Sequence, residues 1–359
     1  MVHEYQKDDE SSVNSADEAL FEMLGILPSL AIGNGVPDEE DDENSMNDKG
    51  GAQALSLDRF VQRKDDNWIR KVLANSDNIN LRRQYETTSV CVFPEALRIP
   101  AIEMRRLADE LVWGGHIYPS DKTYETLRIS KDGSIEERRA LTRIENFVNY
   151  HSGWNALCND YLRRLVSLAL GQPMVLYKEK LNLKPPGGSG FAPHLDTPSL
   201  RVALGDRGPR EFCTVMVAID NMTTRNGCLR IAKGVWSEDH HVNTVQPKAE
   251  GNPDADGRAG AVLPELVDQL QFEDLVCVGG TIVAFNGWAP HRSKTNLSSF
   301  ARRAVFLTYT LAAEGDFHDA YYQEMEHLRN KWRDKVGLPT QISNDELMEL
   351  NALSTVPRT

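Results

Sequence analysis

The chain has 359 residues, 40% hydrophobic and 26% charged, the profile of a globular protein long enough to bury a full core. Its net charge of −13 argues against nucleic acid or an anionic membrane surface as partner, because either would need a basic face. The apolar runs are strand-sized, the start MVHEYQKDDESS has no signal or transit pattern, and five scattered cysteines contain no C-x-x-C. The chain therefore reads as a reduced, cytoplasmic protein with no zinc knuckle, no disulfide framework and no sign of its oligomeric state.

Residues 1–50 read as an acidic, disordered tail. Ser15-x-x-Glu18 is a capping-box pattern ahead of Leu20, Phe21, Leu24 and Leu27, which predicts a transient helix. The run DEEDDE at 38–43 repels itself and stays solvated. Residues 51–359 are expected to form a single catalytic domain, with a helical part over 55–171. There Phe60, Val61, Trp68, Ile69, Val72 and Leu73 recur at helical steps, a second helix opens at Pro100 and stops at Gly114-Gly115, and a third spans about 154–170 before Gly171. The segment LTRIENFVNYH, 141–151, fits a strand or a loop.

From 174 to 312 the texture is β. LYKEKLNL (176–183), FCTVMVAI (212–219), GCLRIA (227–232), TIVAF (281–285) and RRAVFLTYTL (302–311) are strand-length and bounded by turn residues. Asn226-Gly227 predicts a hairpin between the second and third of these. The polar stretch within 237–272 is too long for a simple connector and suits a lid or insertion, and residues 317–336 read as a closing helix. Helices followed by many antiparallel strands predict a mainly β fold with flanking α-helices, a double-stranded β-helix or jelly roll of the cupin type.

The chemistry is concentrated in FAPHLDTP, residues 191–198. His194 and Asp196 are two apart, so an extended strand would present both on one face, two-thirds of a 2-His-1-carboxylate site for non-haem Fe(II). His291, just past TIVAFN, is the candidate third ligand. Eleven residues later, Arg302 and Arg303 open the last strand, and whichever faces inward needs an anionic partner. A dicarboxylate co-substrate would supply one, with the Ser293 hydroxyl beside it; the competing reading is a solvated sheet edge paired with acids. A zinc hydrolase could use the same three ligands, and a non-catalytic jelly-roll binding protein could retain the scaffold. No G-x-S-x-G, Walker loop or dinucleotide fingerprint is present.

HLD followed by HRSKTNLSSFARR and a long apolar strand resembles the phytanoyl-CoA dioxygenase superfamily of Fe(II)/2-oxoglutarate oxygenases. KEKLNLKPPGGSGFAPHLD, LTRIENFVNYH and AIDNMTTRNGCLRIAKG are similar to the branch that contains 2-aminoethylphosphonate dioxygenase. The resemblance implies His194, Asp196 and His291 as Fe(II) ligands, and Arg302 with Ser293 on the distal carboxylate of 2-oxoglutarate. It places Asn182 at the other end of the co-substrate, with Lys180 on the same strand face. It implies consumption of 2-oxoglutarate and O2 with release of succinate and CO2, and it points to Arg143, Asn146 and Asn286 as substrate contacts. An acyl-CoA or a secondary metabolite is the alternative substrate. Three departures stand out: Asn286 where relatives often carry an acid, Leu195 where glutamine is common, and Trp236 in place of a histidine.

Overall fold

The computed structural model describes residues 67–75, 81–93, 98–114, 120–131, 134–244 and 260–336. The expectations for the 1–50 tail, the start of the helical part before 67 and the 245–259 insertion lie outside the described residues, all of which fall within the unit Gln53–Thr359.

Helices come first. Asn67–Asn75 (α1) and Leu81–Thr88 (α2) lead into strand Val90–Val92 (β1). Ala101–Trp113 (α3) begins after Pro100 and is closed by Gly114, whose N–H bonds the Glu110 carbonyl. Ser152–Asn155, a π-helical segment Ala156–Leu162 and Arg163–Leu170 run on as one rod (α4). It stops at Gly171, whose φ of +70° is a left-handed cap that favours glycine.

One correction falls inside the stretch expected to be helical. Asp121–Lys131 (β2) and Ser134–Glu145 (β3) form a long antiparallel hairpin, Lys131 opposite Ser134, so 141–145 is strand. The signal was Asp132-Gly133, a two-residue turn dipeptide between runs such as TYETLRIS that fit no helical stripe. The chain leaves β3 through Asn146 at φ +57°, a left-handed position that asparagine tolerates.

The remaining elements are Met174–Lys184 (β4), Phe191–His194 (β5), Asp196–Leu204 (α5), Phe212–Ala218 (β6), Leu229–Ala232 (β7), Pro264–Val267 (α6) and Phe272–Leu275 (β8). Then come Ile282–Asn286 (β9), His291–Ser293 (β10), Arg302–Leu311 (β11) and His318–Val336 (α7). They build two antiparallel sheets, a seven-stranded one in the order β1-β9-β6-β11-β4-β3-β2 and a four-stranded one in the order β5-β10-β7-β8. The fold is a jelly roll, mainly β with flanking helices.

A second correction concerns Asn226-Gly227. β6 and β7 do not pair: β6 lies between β11 and β9, whereas β7 lies between β10 and β8. The turn carries the chain from one sheet to the other. Asn226 Oδ1 accepts from Thr223 N–H at 2.8 Å and Gly227 sits at φ +72°, a tight turn serving a crossing instead of a hairpin.

The large sheet has two different faces. One packs Leu181, Val215, Val217, Ala284, Val305 and Leu307 against α3 and α4, whose Met104, Leu107, Trp154, Leu157 and Leu165 are fully buried. The other face looks into the space toward the small sheet. Because directly opposed residues share a face, the register puts Arg143, Glu145, Lys180, Asn182, Lys184, Arg302, Phe306, Met216 and Phe285 there. No helix among the described residues is long and apolar enough to cross a membrane.

Candidate metal centre

The small sheet brings two histidines together. β5 and β10 pair antiparallel with His194 directly opposite His291, and their ring centroids are 4.2 Å apart. Each ring is oriented by its own backbone: His194 Nδ1 lies 2.8 Å from the Ala192 carbonyl and His291 Nδ1 lies 3.0 Å from the Ala289 carbonyl. A carbonyl can only accept, so both Nδ1 atoms carry the proton and both Nε2 lone pairs turn the other way.

Asp196 does not share a strand with His194, which corrects the extended-strand expectation. β5 ends at His194, Leu195 is extended at φ −110° and ψ 141°, and Asp196 is the first residue of α5. The two side chains still converge. Leu195 is fully buried on the outer side with Val262 and Trp288, which rotates Asp196 back toward the histidines. Asp196 Oδ1 lies 3.9 Å from His194 Nε2 and 3.8 Å from His291 Nε2, and its Oδ2 accepts a 2.7 Å bond from Thr214 Oγ1. An acid in the first turn of a helix is also favoured by the helix dipole.

One ligand atom from each of these three residues lies within 4.8 Å of the others, so they can grip one ion. Two imidazole nitrogens and one carboxylate suit Fe(II) and leave coordination positions open on the far side. The electrostatics agree with deprotonated ligands. Burial, then the nearby His291, holds His194 down at about 3. Burial works against the Asp196 carboxylate, but His291, Lys180 and His194 outweigh it and hold the carboxyl well below its usual range. The edge of Phe285 closes over His291 with centroids 4.9 Å apart.

Arg302 and Arg303 separate cleanly. Arg303 turns outward, its Nε 2.8 Å from Asp220 Oδ2 and its Nη1 3.0 Å from Asp109. Arg302 turns inward and is 3% exposed. Its Nη2 donates to the Gly227 carbonyl, its Nε has no hydrogen-bond partner, and no salt bridge to it occurs among the described residues. Burial pulls its guanidinium down to about 10. A buried cation without an acid is expensive unless an anion arrives.

Ser293 lies two residues past His291 on β10, and its Oγ accepts from Phe191 N–H at 3.2 Å. Asn182 is buried on the same interior face, opposite Arg143, with no partner for its Oδ1. Lys180 stands over the Phe306 ring at 5.4 Å, and burial pulls its ammonium down to about 8. Arg143 also faces inward, its guanidinium 6.0 Å from the Phe191 ring centre and 3.9 Å from Glu145.

One expected substrate contact is not brought in. Asn286 Oδ1 accepts from Trp288 N–H at 2.8 Å, and Asn286 stands opposite Cys213, on the face away from Phe285. Asn146 follows β3 at the left-handed turn position given above. Sequence reasoning passed over Thr214, which holds Asp196, and Lys184, the next inward position after Asn182. The period-two alternation that paired Lys180 with Asn182 would have included Lys184.

Similarity to known proteins bears on the same residues. A 2-aminoethylphosphonate dioxygenase from an uncultured bacterium is 38% identical over 187 residues, 52% of this chain and 65% of that protein. A methylphosphonate hydroxylase from Gimesia maris is 31% identical over 183 residues, 51% of this chain and 63% of that protein. The chain thus matches less than two thirds of the length of each. Among solved structures, EctD from S. alaskensis with 2-oxoglutarate and 5-hydroxyectoine shares 17% identity at a TM-score of 0.47, over 67% of this chain and 79% of that one. That likeness adds nothing to the sheet register above. The phytanoyl-CoA dioxygenase (PhyH) profile matches residues 122–304, half of the chain, a span that contains the His194–Asp196–His291 cluster and Arg302. The chain belongs to the phytanoyl-CoA dioxygenase family.

Proposed function

We propose that this chain is an Fe(II)- and 2-oxoglutarate-dependent dioxygenase that hydroxylates an aliphatic C–H of a small polar substrate, an aminoalkyl phosphonate or a close analogue. The observation that carries the reading is the pairing of a metal-competent His194–Asp196–His291 cluster with a buried Arg302 that has no acid partner among the described residues, on the same interior. Fe(II) and 2-oxoglutarate supply the oxidising chemistry, consuming O2 and releasing succinate and CO2.

The protein's part is placement. His194 and His291 hold the metal through Nε2 because their Nδ1 protons are committed to backbone carbonyls. Asp196 supplies the charge that offsets the cation, and Thr214 fixes which oxygen turns to it. Arg302 and Ser293 receive the distal carboxylate of 2-oxoglutarate, and Asn182 meets its other end. Phe285, Phe306 and Met216 keep the wall between these polar groups apolar, which limits water around the reacting carbon.

The substrate class rests on two supports. The relatives named above act, by their names, on phosphonates. Arg143 and Lys180 line the interior beside the metal cluster, and an arginine fork suits a phosphonate head. A zinc hydrolase has no need of an acid-free buried arginine. An acyl-CoA would ask for a basic surface to hold its phosphates, against a chain with net charge −13.

The test is turnover. Fe(II)-loaded protein is incubated with 2-oxoglutarate and O2, and succinate is counted with 2-aminoethylphosphonate, its N-methylated forms, methylphosphonate or branched acyl-CoAs. Phosphonate-stimulated succinate with a hydroxylated product is the expected result. Stimulation by acyl-CoA alone overturns the substrate, and no succinate under any condition overturns the activity.

A further inference from the structure

We propose that Lys184 is a second cation for the distal carboxylate of the co-substrate, acting with Arg302 and Ser293, so that selectivity for a dicarboxylate over a monocarboxylate 2-oxo acid rests on a lysine–arginine pair. The inference depends on the co-substrate reading above and adds to it a residue and a specificity role.

Three observations converge. The register of β11 on β4 puts Arg302 directly opposite Lys184, so both side chains leave the sheet on the interior face as immediate neighbours. Both are buried, at 3% and 4% exposure, and no carboxylate bonds either one among the described residues. Two cations side by side in a buried place repel each other, an arrangement that an entering anion would relieve.

The lysine is also aimed. Its Nζ donates to Ser293 Oγ at 2.8 Å and to the Lys294 carbonyl at 2.6 Å. An ammonium has three donors, so these two bonds leave one N–H, with the Phe191 ring centre 5.6 Å away. Burial and then the Arg302 charge bring Lys184 down to about 7, against a smaller opposing pull from Cys228 and Glu125.

The spacing from the His194–Asp196–His291 cluster is short. Ser293 is two residues beyond His291 on β10, which on a strand is about 7 Å. That is the reach of a short dicarboxylate chelating the metal through its 2-oxo acid end. Two glycines close the pocket around it. A Cβ at Gly227 would meet the Lys294 carbonyl at 2.3 Å and Lys184 Nζ at 3.0 Å, and one at Gly190 would meet the Ser293 carbonyl at 2.4 Å. Gly227 also offers its carbonyl to Arg302 Nη2, so the turn that crosses between the sheets sets the position of both cations.

A purely structural lysine, tying β4 to residues 293–294, is the competing account, and the ligand can separate the two. Full-length Fe(II)-loaded protein is titrated without oxygen, by calorimetry, with 2-oxoglutarate and with 2-oxobutyrate, which keeps the chelating end and lacks the distal carboxylate. Lys184→Met is expected to weaken 2-oxoglutarate by about tenfold or more while changing 2-oxobutyrate less than about twofold. Lys184→Gln keeps N–H donors for Ser293 and the Lys294 carbonyl without the charge, serves if the methionine variant does not fold, and is expected to lose the same discrimination. Equal weakening of both ligands, or none for 2-oxoglutarate, overturns the proposal. A wild-type protein that binds neither ligand overturns the co-substrate reading itself, a result distinct from loss of discrimination in the variants.

Discussion

Arg302 and Arg303 are neighbours on one strand and opposites in environment, so one pair of variants tests the interior face. Arg302→Met keeps much of the side-chain volume and removes the cation. If the guanidinium holds a carboxylate with two charge-assisted bonds, its loss costs binding about 2–4 kcal/mol, a roughly thirty- to several-hundred-fold rise in the 2-oxoglutarate dissociation constant. The fold should not suffer, because no buried acid is left behind and an unpartnered buried charge is removed, so the metal-free protein should melt at the same or a higher temperature. Arg303→Ala should do the reverse. It strips the mostly buried Asp220 of bonds at 2.8 and 3.1 Å and the more exposed Asp109 of one at 3.0 Å. That costs about 1–3 kcal/mol of stability, several degrees of melting temperature, and leaves co-substrate affinity unchanged. Oxygen-free calorimetry with 2-oxoglutarate and thermal melts of the same samples give both numbers. An Arg303 variant that loses more affinity than the Arg302 variant, or an Arg302→Met protein destabilised as much as Arg303→Ala, would refute the face assignment.

Alanine at His194, Asp196 or His291 should abolish bound iron and succinate production with the fold intact by circular dichroism; an iron-replete, active variant would remove that residue from the ligand set. His318 is linked to the fully buried Glu179 at 2.8 Å; burial lowers its pKa, but Glu179 outweighs that and the net shift is upward. A raised folded-state pKa contributes stability that is fully present below the unfolded value, about 6.5, and is lost as pH rises through the folded one. The stability difference between wild type and His318→Gln, measured by denaturant unfolding, should therefore shrink from pH 6 to pH 9. A chain starting at Ala52 is expected to fold and keep its turnover, checked by melting temperature and succinate yield. Arg143→Met should raise the phosphonate KM at least tenfold with little change in 2-oxoglutarate KM; equal effects on both would place Arg143 with the co-substrate.

Much of this architecture is legible in the sequence because period-two patterns on long strands are strong. RRAVFLTYTL is β11 residue for residue, and Gly171 and Gly114 end the helices where they were expected to. His194 and His291 were legible because each ends or opens a short strand beside a recognisable motif, and Asp196 because it stands two residues past the first of them. The failures have physical causes. The β2–β3 hairpin lies at the sheet edge and its sequence mixes charged and apolar residues without a clean alternation, so no apolar stripe announces it, and the turn dipeptide Asp132-Gly133 went unused. Asn226-Gly227 has the chemistry of a tight turn, but turn chemistry does not say which strands it joins. Asp196 stepped off its strand into a helix because Thr197 N–H bonds the Gly287 carbonyl at 2.9 Å, a contact 90 residues away that no local pattern encodes.

The strand β4 condenses the argument about function. An ordinary strand between a helical layer and a second sheet would be apolar on both faces. Here Lys178, Lys180, Asn182 and Lys184 alternate with Glu179, Leu181 and Leu183. The leucine side joins the helix-packed core, and its one acid, Glu179, is saturated by Phe147 N–H, Val148 N–H, His318 and Tyr322. The lysine side is not saturated. Lys178 pairs with Glu145 at 3.0 Å, but among the described residues no carboxylate is bonded to Lys180 or Lys184, and both are pulled down by burial. Hydrophobic replacements would stabilise such an interior, so the lysines there cost stability in the ligand-free protein. A strand that spends its inward face on cations, beside a cluster with one carboxylate and two imidazoles, supports the proposed reading in which anions arrive from outside: the co-substrate at the Lys184–Arg302 end and the substrate at the Lys180–Arg143 end.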